Sequence, residues 1–424
     1  MSFTKSPQNI KTVKHVLATC YGGGHVQMLL PVLQELKAQG CRISVLGLTT
    51  ATEPLRAAGF EPIGFRHLLT SDDERARQHG IRLAEEMGAD GKSVPLEETI
   101  AYLGLSYADL EERIGTENAK QLYQAQGRRA FLPLNPIRRL FHQLKPDALL
   151  TTNSPRAELA SVKVAQERGI PAISMVSLFG LQIADIIADR VCIPFEATIP
   201  QLTARGVDPR TLVITGHPSF DCAADVLHQE SAGIEWRTRY SINNDTPLAL
   251  YAMQPGIGNQ STLVEASLLQ AIKQNPHLRI AVRKHPNHRD ADVQKVIDQL
   301  GPAALNASDD SLGTVLHACD VLVTHHSTVG IKAALIGKQV AFFNLENDIS
   351  VYGLPLHEYD WASFSTTVDA GASALASIKR DPLAQQQARG NQIRQTWNCD
   401  GRSHYRIAET VLQSLSARAN RDAA

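Results

Sequence analysis

The sequence lacks an excess of charge of either sign, and it lacks long apolar runs. It has 42 Lys and Arg against 43 Asp and Glu, a formal net charge of −1. Nucleic-acid-binding proteins usually carry a basic face, so this balance argues against a nucleic-acid partner. No apolar stretch approaches the roughly 20 residues that cross a bilayer, and the polar start "MSFTKSPQNIKTVKH" has no signal-peptide core. We expect a cytoplasmic protein, and peripheral contact with the inner face of a membrane is compatible with this composition.

Cysteines are few and scattered, which argues against a zinc knuckle, a redox dithiol or a disulfide framework. The six are Cys20, Cys41, Cys192, Cys222, Cys319 and Cys399. We expect reduced thiols and no metal site. A chain of 424 residues is too long for one ordinary hydrophobic core, so it should form two or three domains.

Short apolar runs alternate with amphipathic segments for most of the length. "HVLAT" (15–19) is typical of a strand, residues 25–39 of a helix, and "RISVLGL" (42–48) of the next strand. A second series of the same kind starts near residue 247. Strands that alternate with helices form parallel sheets with right-handed crossovers. The sequence therefore predicts an α/β fold with two Rossmann-like, doubly wound domains.

One long segment, 67–144, is polar and helical in pattern, and it interrupts the first series. We interpret it as a helical insertion in the first domain. A second polar stretch, 228–246, is typical of a linker followed by a helix. The predicted domains are 1–227 and 228–398, followed by a C-terminal helix within 399–424.

Three glycines and a histidine follow the first strand, in "CYGGGHVQ". Gly22 and Gly24 fit a dinucleotide fingerprint G-x-G-x-x-G, but Gln27 stands at its third glycine. The second strand ends in "GLTT", without the acidic residue that would bind a ribose hydroxyl. Both halves of the fingerprint are therefore incomplete, which argues against NAD or NADP binding.

The same loop suits close approach to a ligand, because Gly23 and Gly24 place no side chain between the backbone and a cleft. His25 then begins the helix, where the helix dipole disfavours a positive charge. A neutral imidazole is what a general base needs. A histidine that merely caps or packs the helix fits the placement equally well.

Loops of the second domain could hold phosphate. Ser327 and Thr328 open a helix directly after a strand, where hydroxyl and N–H groups bind anions, although Ser and Thr are also ordinary N-cap residues. Basic residues at another strand end could meet a diphosphate, and an acid could bind sugar hydroxyls. The further binding candidates are Gln254, Gly256, Arg283, His285, His326 and Glu346. Ligands of parallel sheets bind at the carboxyl ends of the strands, so we expect His25 and this phosphate site to share one cleft.

Several motifs resemble two-domain glycosyltransferases of the GT-B fold. "CYGGGHVQMLLPVLQELKAQG" looks like the opening loop and helix of MurG-like and UDP-glycosyltransferase-like enzymes, with His25 and Pro31 in matching places. Gly216, Pro218 and Asp221 match the turn that commonly closes the first GT-B domain. The second half, with "KHPN" (284–287), "HHSTVGIKAALIGKQV" (325–340) and "DGRSHYRIAETV" (400–411), resembles capsule transferases, CDP-glycerol glycerophosphotransferases and UDP-N-acetylglucosamine 2-epimerases.

The resemblance implies a metal-independent glycosyltransferase in bacterial surface-polysaccharide or cell-envelope synthesis. It would move a sugar from a UDP-, CDP- or CMP-linked donor to a glycan or lipid-linked acceptor, with no other cofactor and with His25 as general base. An epimerase and a CDP-alditol phosphotransferase are the alternatives. Hydrolysing epimerases carry Ser-Gly-Gly-x-x-Glu-Glu where this chain has "STVGIKAA", and the missing glutamates argue against epimerase chemistry.

Overall fold

The structure, a computed structural model, describes residues 13–176, 187–221, 229–254, 260–285, 288–325, 327–343 and 361–422. Within these residues the chain forms two compact units. The first runs up to Pro218 and includes the residues from Arg402 onward, and the second is Ser219–Gly401. The boundary predicted at residue 227 lies outside the described residues.

The first unit is built on a seven-stranded sheet, counted over the described residues. Its strands are β1 (His15–Cys20), β2 (Arg42–Gly47), β3 (Pro62–Ile63), β4 (Ala148–Thr152), β5 (Ala172–Met175), β6 (Arg190–Ile193) and β7 (Leu212–Ile214). Their order is β3-β2-β1-β4-β5-β6-β7, and every neighbouring pair is parallel. The strand order changes direction between β1 and β4, which makes this pair the topological switch point where such sheets bind ligands.

Helices cover both faces of this sheet. They are α1 (Gly24–Ala38), α2 (Thr52–Ala57), α3 (Glu74–Glu86), α4 (Leu96–Ile114), α5 (Thr116–Gln126), α6 (Leu134–Leu144), α7 (Ala157–Glu167) and α8 (Thr198–Ala204), and a short α9 (Pro218–Asp221) lies at the division between the units. All six residues of β1 are buried, as expected for a parallel strand with helices on both sides. Leu17 packs in the core layer that includes α4, α6 and α7, whereas Val16 and Ala18 pack in the layer of α1.

The segment between β3 and β4 contains α3 to α6, which confirms the predicted helical insertion. Helices α3 and α4 approach closely because each has a glycine at the crossing. A Cβ on Gly80 would collide with the Ile100 carbonyl oxygen, and a Cβ on Gly104 with that of Ala76. The insertion is therefore a packed layer on the sheet, with its own aromatic cluster of Tyr102, Tyr107, Tyr123 and Phe131.

This crossing predicts that Gly104→Ala destabilises the first unit. The added methyl must push the two helix backbones apart, and overpacking of this kind costs about 1–3 kcal/mol. Urea unfolding followed by circular dichroism measures the change, with the exposed Glu97→Ala on the same helix as a control expected to stay within about 0.5 kcal/mol. Stabilisation by the better helix propensity of alanine would contradict the close crossing.

The second unit holds a six-stranded parallel sheet, again counted over the described residues. The strands are β8 (Leu248–Ala252), β9 (Arg279–Arg283), β10 (Ala304–Asn306), β11 (Val321–Thr324), β12 (Gln339–Phe343) and β13 (Ala362–Ser365), in the order β10-β9-β8-β11-β12-β13. The helices are α10 (Glu230–Arg239), α11 (Gln260–Gln274), α12 (Asp290–Leu300), α13 (Leu312–Ala318), α14 (Val329–Leu335), α15 (Val368–Ala376) and α16 (Leu383–Thr396). The switch point lies between β8 and β11. The predicted α/β fold with two Rossmann-like sheets is confirmed.

The last helix, α17 (Ser403–Asp422), belongs to the first unit. Its buried face, with Ile407 and Val411, packs in the same core layer as Val26 and Leu29 of α1. Arg406 donates a hydrogen bond to the Thr215 carbonyl oxygen at 2.7 Å. The chain therefore returns to its first sheet after completing the second. Among the described residues, no helix is long and apolar enough to span a bilayer.

Candidate functional site

The glycine loop after β1 makes a tight turn that places His25 at the first switch point. Gly23 has φ of 65° and ψ of −135°, a conformation that glycine adopts without steric cost. A Cβ on Gly22 would collide with Thr50, whereas Cβ atoms on Gly23 or Gly24 would meet nothing within 4 Å. Gly22 is thus required for packing, and the next two glycines leave the backbone open to a ligand.

His25 heads a chain of three hydrogen-bonded side chains that crosses the switch point. Its Nδ1 lies 2.7 Å from the hydroxyl oxygen of Thr152, the last residue of β4. That hydroxyl oxygen lies 2.6 Å from both carboxyl oxygens of Glu158, in the first turn of α7. Since β1 and β4 are neighbours in the sheet, the fold itself brings His25 and Thr152 together across 127 positions of sequence.

Glu158 is completely buried, and its carboxyl group is held by several donors. The backbone N–H of Ser154 donates to it at 2.6 Å and that of Tyr21 at 3.1 Å, in addition to Thr152. Burial raises the pKa of Glu158 to about 7, and the hydrogen bonds oppose a larger rise. A carboxyl group with this pKa exchanges its proton near neutral pH.

The hydrogen-bonded series of His25, Thr152 and Glu158 can hold its protons in two arrangements. When Glu158 is ionised, Thr152 donates its hydroxyl proton to the carboxylate and accepts from Nδ1–H of His25, so Nε2 carries a lone pair. When Glu158 is protonated, the direction reverses, and Thr152 donates to Nδ1 so that Nε2 carries the proton. The site can therefore either accept or donate a proton at Nε2 of His25, according to the state of Glu158.

A second imidazole lies near the first. Burial, and next the charge of His25, lower the pKa of His217 to about 4. Burial also lowers the pKa of His25 below its ordinary value of 6.5. Both rings are therefore neutral at pH 7, the state that a general base requires.

Two residues near the hydrogen-bonded side chains of His25 and Glu158 have unusual backbone conformations. Thr49 has φ of 53° and Arg156 has φ of 70°, and positive φ is uncommon for residues other than glycine, above all for a β-branched one. The Thr49 hydroxyl accepts a hydrogen bond from Gly22 N–H at 3.2 Å. The guanidinium carbon of Arg156 lies 5.0 Å from the ring centre of Tyr21. Strain of this kind is concentrated at functional sites in proteins.

In the second unit, Gln254 joins the two central strands at their carboxyl ends. Its side-chain oxygen accepts from the Thr324 hydroxyl at 2.9 Å and from the His325 backbone N–H at 3.0 Å. Gln254 is the second residue after the end of β8, and Thr324 is the last residue of β11. The switch point of this sheet is thus bridged by a polar cluster, as it is in the first unit.

The other predicted residues of the second unit that the structure describes lie at or just after the carboxyl ends of β9 and β11. The Ser327 hydroxyl accepts from the N–H of Val329, the first residue of α14, at 3.2 Å, and Thr328 is exposed. Arg283 donates to the carbonyl oxygens of Ala307 and Asp310 at 2.9 and 2.5 Å, so its guanidinium holds a loop of its own unit. Burial, and then His288, lower the pKa of His285, a half-buried residue after β9.

The predicted binding residues Gly256, His326 and Glu346 lie outside the described residues. His25, Gly23 and Gly24 belong to the first unit, and the other described candidates to the second. Their roles in binding, and the cleft expected to join them, stay predictions.

Three residues of the first site were missed by the sequence: Thr152, Glu158 and His217. Two of them belong to the segment "TTNSPRAE" (151–158), whose Thr152 and Glu158 flank the more conspicuous Asn153, Ser154 and Arg156. A threonine that ends a buried strand, followed six residues later by a glutamate in the first helical turn, is the signal that was available. Its meaning depends on β4 pairing with β1, which a local pattern cannot show.

The architecture matches solved GT-B enzymes over nearly the whole chain. The structure of Acinetobacter baumannii MurG is 14% identical, with 94% of this chain and 99% of the MurG chain covered and a TM-score of 0.58. UDP-N-acetylglucosamine 2-epimerase from Rickettsia bellii is 12% identical, with 97% and 98% covered and a TM-score of 0.58. MnaA of S. aureus, solved with UDP, is 13% identical, with 95% and 97% covered and a TM-score of 0.58. No protein-family model and no curated protein sequence matches the chain.

Identities this low show the fold alone. The chain has the GT-B fold, which confirms the resemblance in its motifs, and its chemistry has to be argued from its own residues.

Proposed function

We propose that this protein is a nucleotide-sugar-dependent glycosyltransferase in which His25 is the general base. The observation that carries the proposal is the chain from His25 through Thr152 to the buried Glu158, placed at the switch point of a parallel sheet. With Glu158 ionised, Nε2 of His25 takes the proton from an acceptor hydroxyl as the oxygen attacks the anomeric carbon. Thr152 and Glu158 act through His25, so they are positioning residues.

The second unit would bind the nucleotide diphosphate of the donor at its own switch point. Gln254 orders the ends of β8 and β11 there, and Ser327 and Thr328 follow β11 with hydroxyl groups at the same edge. Hydrogen-bond donors that meet the departing diphosphate stabilise the charge that develops in the transition state. The acceptor would be a glycan or a lipid-linked sugar of the cell envelope or surface polysaccharide, as the motifs imply. The donor would be UDP- or CDP-linked, with a departing diphosphate, or CMP-linked, with a departing monophosphate at the same site.

Nucleotide binding tests the donor site. We expect the double variant Ser327→Ala, Thr328→Ala to weaken binding of the preferred nucleotide by about tenfold, the size of effect that follows from losing hydrogen bonds to a charged group. Isothermal titration with UDP, CDP, CMP and GDP measures it and identifies the base. Thr367→Ala is the matched control, because Thr367 caps α15 at the edge strand β13. Equal affinity of the double variant and the wild type would move the diphosphate to another site.

An epimerase is the second candidate, since the His25 chain can donate as well as accept a proton at Nε2. The two functions differ in their need for an acceptor. Incubation with UDP-N-acetylglucosamine alone, followed by NMR of the sugar, yields an epimer only if the protein is an epimerase. The transferase releases UDP at an appreciable rate only when an acceptor is present.

A further inference from the structure

A cavity in the first unit adjoins the His25 chain and is not used by the proton chemistry. It has a volume of about 220 Å³ and lies between the carboxyl ends of β1 and β2 and the inserted helices α3 and α4. Its apolar lining comes mainly from Leu48, Met87, Ala89, Val94 and Leu103. An apolar cavity of about 150 Å³ is enough to bind benzene, so this one has room for a compact apolar group.

The phenol groups of Tyr21 and Tyr102 are a polar part of the cavity lining. The hydroxyl oxygens of Tyr21 and Tyr102 are both buried, and the two side chains interact with each other, but neither hydroxyl has a hydrogen-bond partner of normal geometry. Burial, and next the neighbouring Tyr102, raise the pKa of Tyr21 well above its usual value, so its hydroxyl stays protonated. Buried hydroxyls that form no well-aligned hydrogen bond cost free energy. A ligand that hydrogen-bonds to them would remove this cost, which favours a ligand with one polar substituent.

Tyr21 connects the cavity to the proposed base. Its ring lines the cavity, while its backbone N–H donates to Glu158 of the His25 chain at 3.1 Å. Thr49, in its strained conformation, also lines the cavity and accepts from Gly22 N–H in the loop before His25. The cavity therefore shares Tyr21 with the hydrogen-bond network of Glu158, and Thr49 with the glycine loop that precedes His25.

The mouth of the cavity carries a cation and an exposed apolar side chain. Arg128 is exposed and forms no ion pair with any described residue, and Met87 is 45% exposed. The carboxylate of Glu98 is already held by the backbone N–H groups of Phe65 and Arg66. A second carboxylate, Asp90, also lines the cavity and pairs with Lys92 at 3.4 Å. With one cation and two carboxylates in its lining, the cavity favours an uncharged molecule.

We propose that this cavity binds a compact apolar group carried by a lipid-linked acceptor, an aryl or short branched alkyl group with one hydrogen-bonding substituent that meets Tyr21 and Tyr102. The inference rests on the proposed transferase function, because the acceptor's reacting hydroxyl would extend from this group toward His25. It makes the inserted helices the part of the chain that selects the acceptor.

Fragment binding to the whole protein tests the cavity directly. Benzyl alcohol is the probe, toluene is the same ring without the hydroxyl, and glycerol is the polar control. Saturation-transfer NMR and titration should show binding of benzyl alcohol, weaker binding of toluene and none of glycerol. Thr99→Phe places a ring in the cavity and should weaken benzyl alcohol binding by about tenfold, as expected when one apolar group is displaced from its pocket. The control Glu97→Phe adds the same ring at an exposed position of α4 that does not line the cavity.

The hydroxyl contacts have their own variants. Tyr21→Phe and Tyr102→Phe together should abolish the preference for benzyl alcohol over toluene while both still bind. Equal binding of benzyl alcohol to the wild type and to Thr99→Phe, or no binding to the wild type, would overturn the proposal. UDP titration of Thr99→Phe separates this outcome from failure of the proposed function, because normal UDP affinity and UDP-dependent transfer can persist while the cavity assignment is wrong.

Discussion

Replacing His25 with alanine should lower the rate of sugar transfer by about 10²–10⁴-fold, the contribution that a positioned general base makes. The reason is that His25 lies at the switch point of the first sheet with the buried carboxyl group of Glu158 behind its Nδ1, while its Nε2 has only a long contact of 3.4 Å, with the Ser154 hydroxyl, among the described residues. Nucleotide affinity should stay unchanged, because the proposed diphosphate site belongs to the second unit. The measurement is kcat/KM for transfer, together with UDP affinity by isothermal titration.

Two further variants separate a base from a structural histidine. His142→Ala removes an exposed histidine of α6 and should change transfer less than about twofold, as surface substitutions do. Thr152→Val breaks the chain behind His25 without a change of shape, and Thr152→Ser should restore it. We expect kcat/KM of the wild type to rise with pH through about 7, as Glu158 ionises and leaves the lone pair on Nε2. His25→Ala at near the wild-type rate would refute the assignment.

The sequence predicted the first part of this site and could not predict the rest. The pattern of β1, the glycine loop and α1 is local, and it placed His25 correctly at a helix start beside strand ends. Thr152 and Glu158 lie more than 120 residues away and reach His25 only because β4 is inserted next to β1. A residue pattern of period two or 3.6 carries no information on which strands become neighbours.

In the helical insertion, too, the local sequence pattern predicts the helices but not their tertiary contacts. Its helices follow from the polar, periodic sequence between 67 and 144, and they were predicted. The close crossing at Gly80 and Gly104, and the cavity beside Tyr21, depend on how those helices lie on the sheet. The last helix was likewise visible as a helix, but its packing against α1 requires a tertiary contact across the length of the chain.

Substitution of Glu158 by glutamine should change how stability depends on pH. A pKa of about 7 in the folded protein, against about 4.5 for an ordinary glutamate, means that folding favours the protonated carboxyl group. The stability that this provides is complete below about pH 4.5 and is lost as pH rises through about 7. The free energy of unfolding of the wild type, minus that of Glu158→Gln, should therefore fall by about 3 kcal/mol between these values and stay constant above.

Urea unfolding at closely spaced pH values measures this difference, and subtraction of the variant removes the titration of His25, whose lowered pKa acts in the opposite direction. Cys20 and Tyr21, which face Glu158, do not contribute, because burial raises the pKa of both far above this range. Glu167→Gln on the same helix is the control, since Glu167 pairs with Arg138 at the surface and such pairs contribute little. A difference that is flat from pH 4.5 to 7 would show that Glu158 does not titrate there. The expected slope would mean that the ionised Glu158 destabilises the folded protein at neutral pH. The role of Glu158 in moving a proton to and from His25 explains why a destabilising buried carboxylate occupies this position.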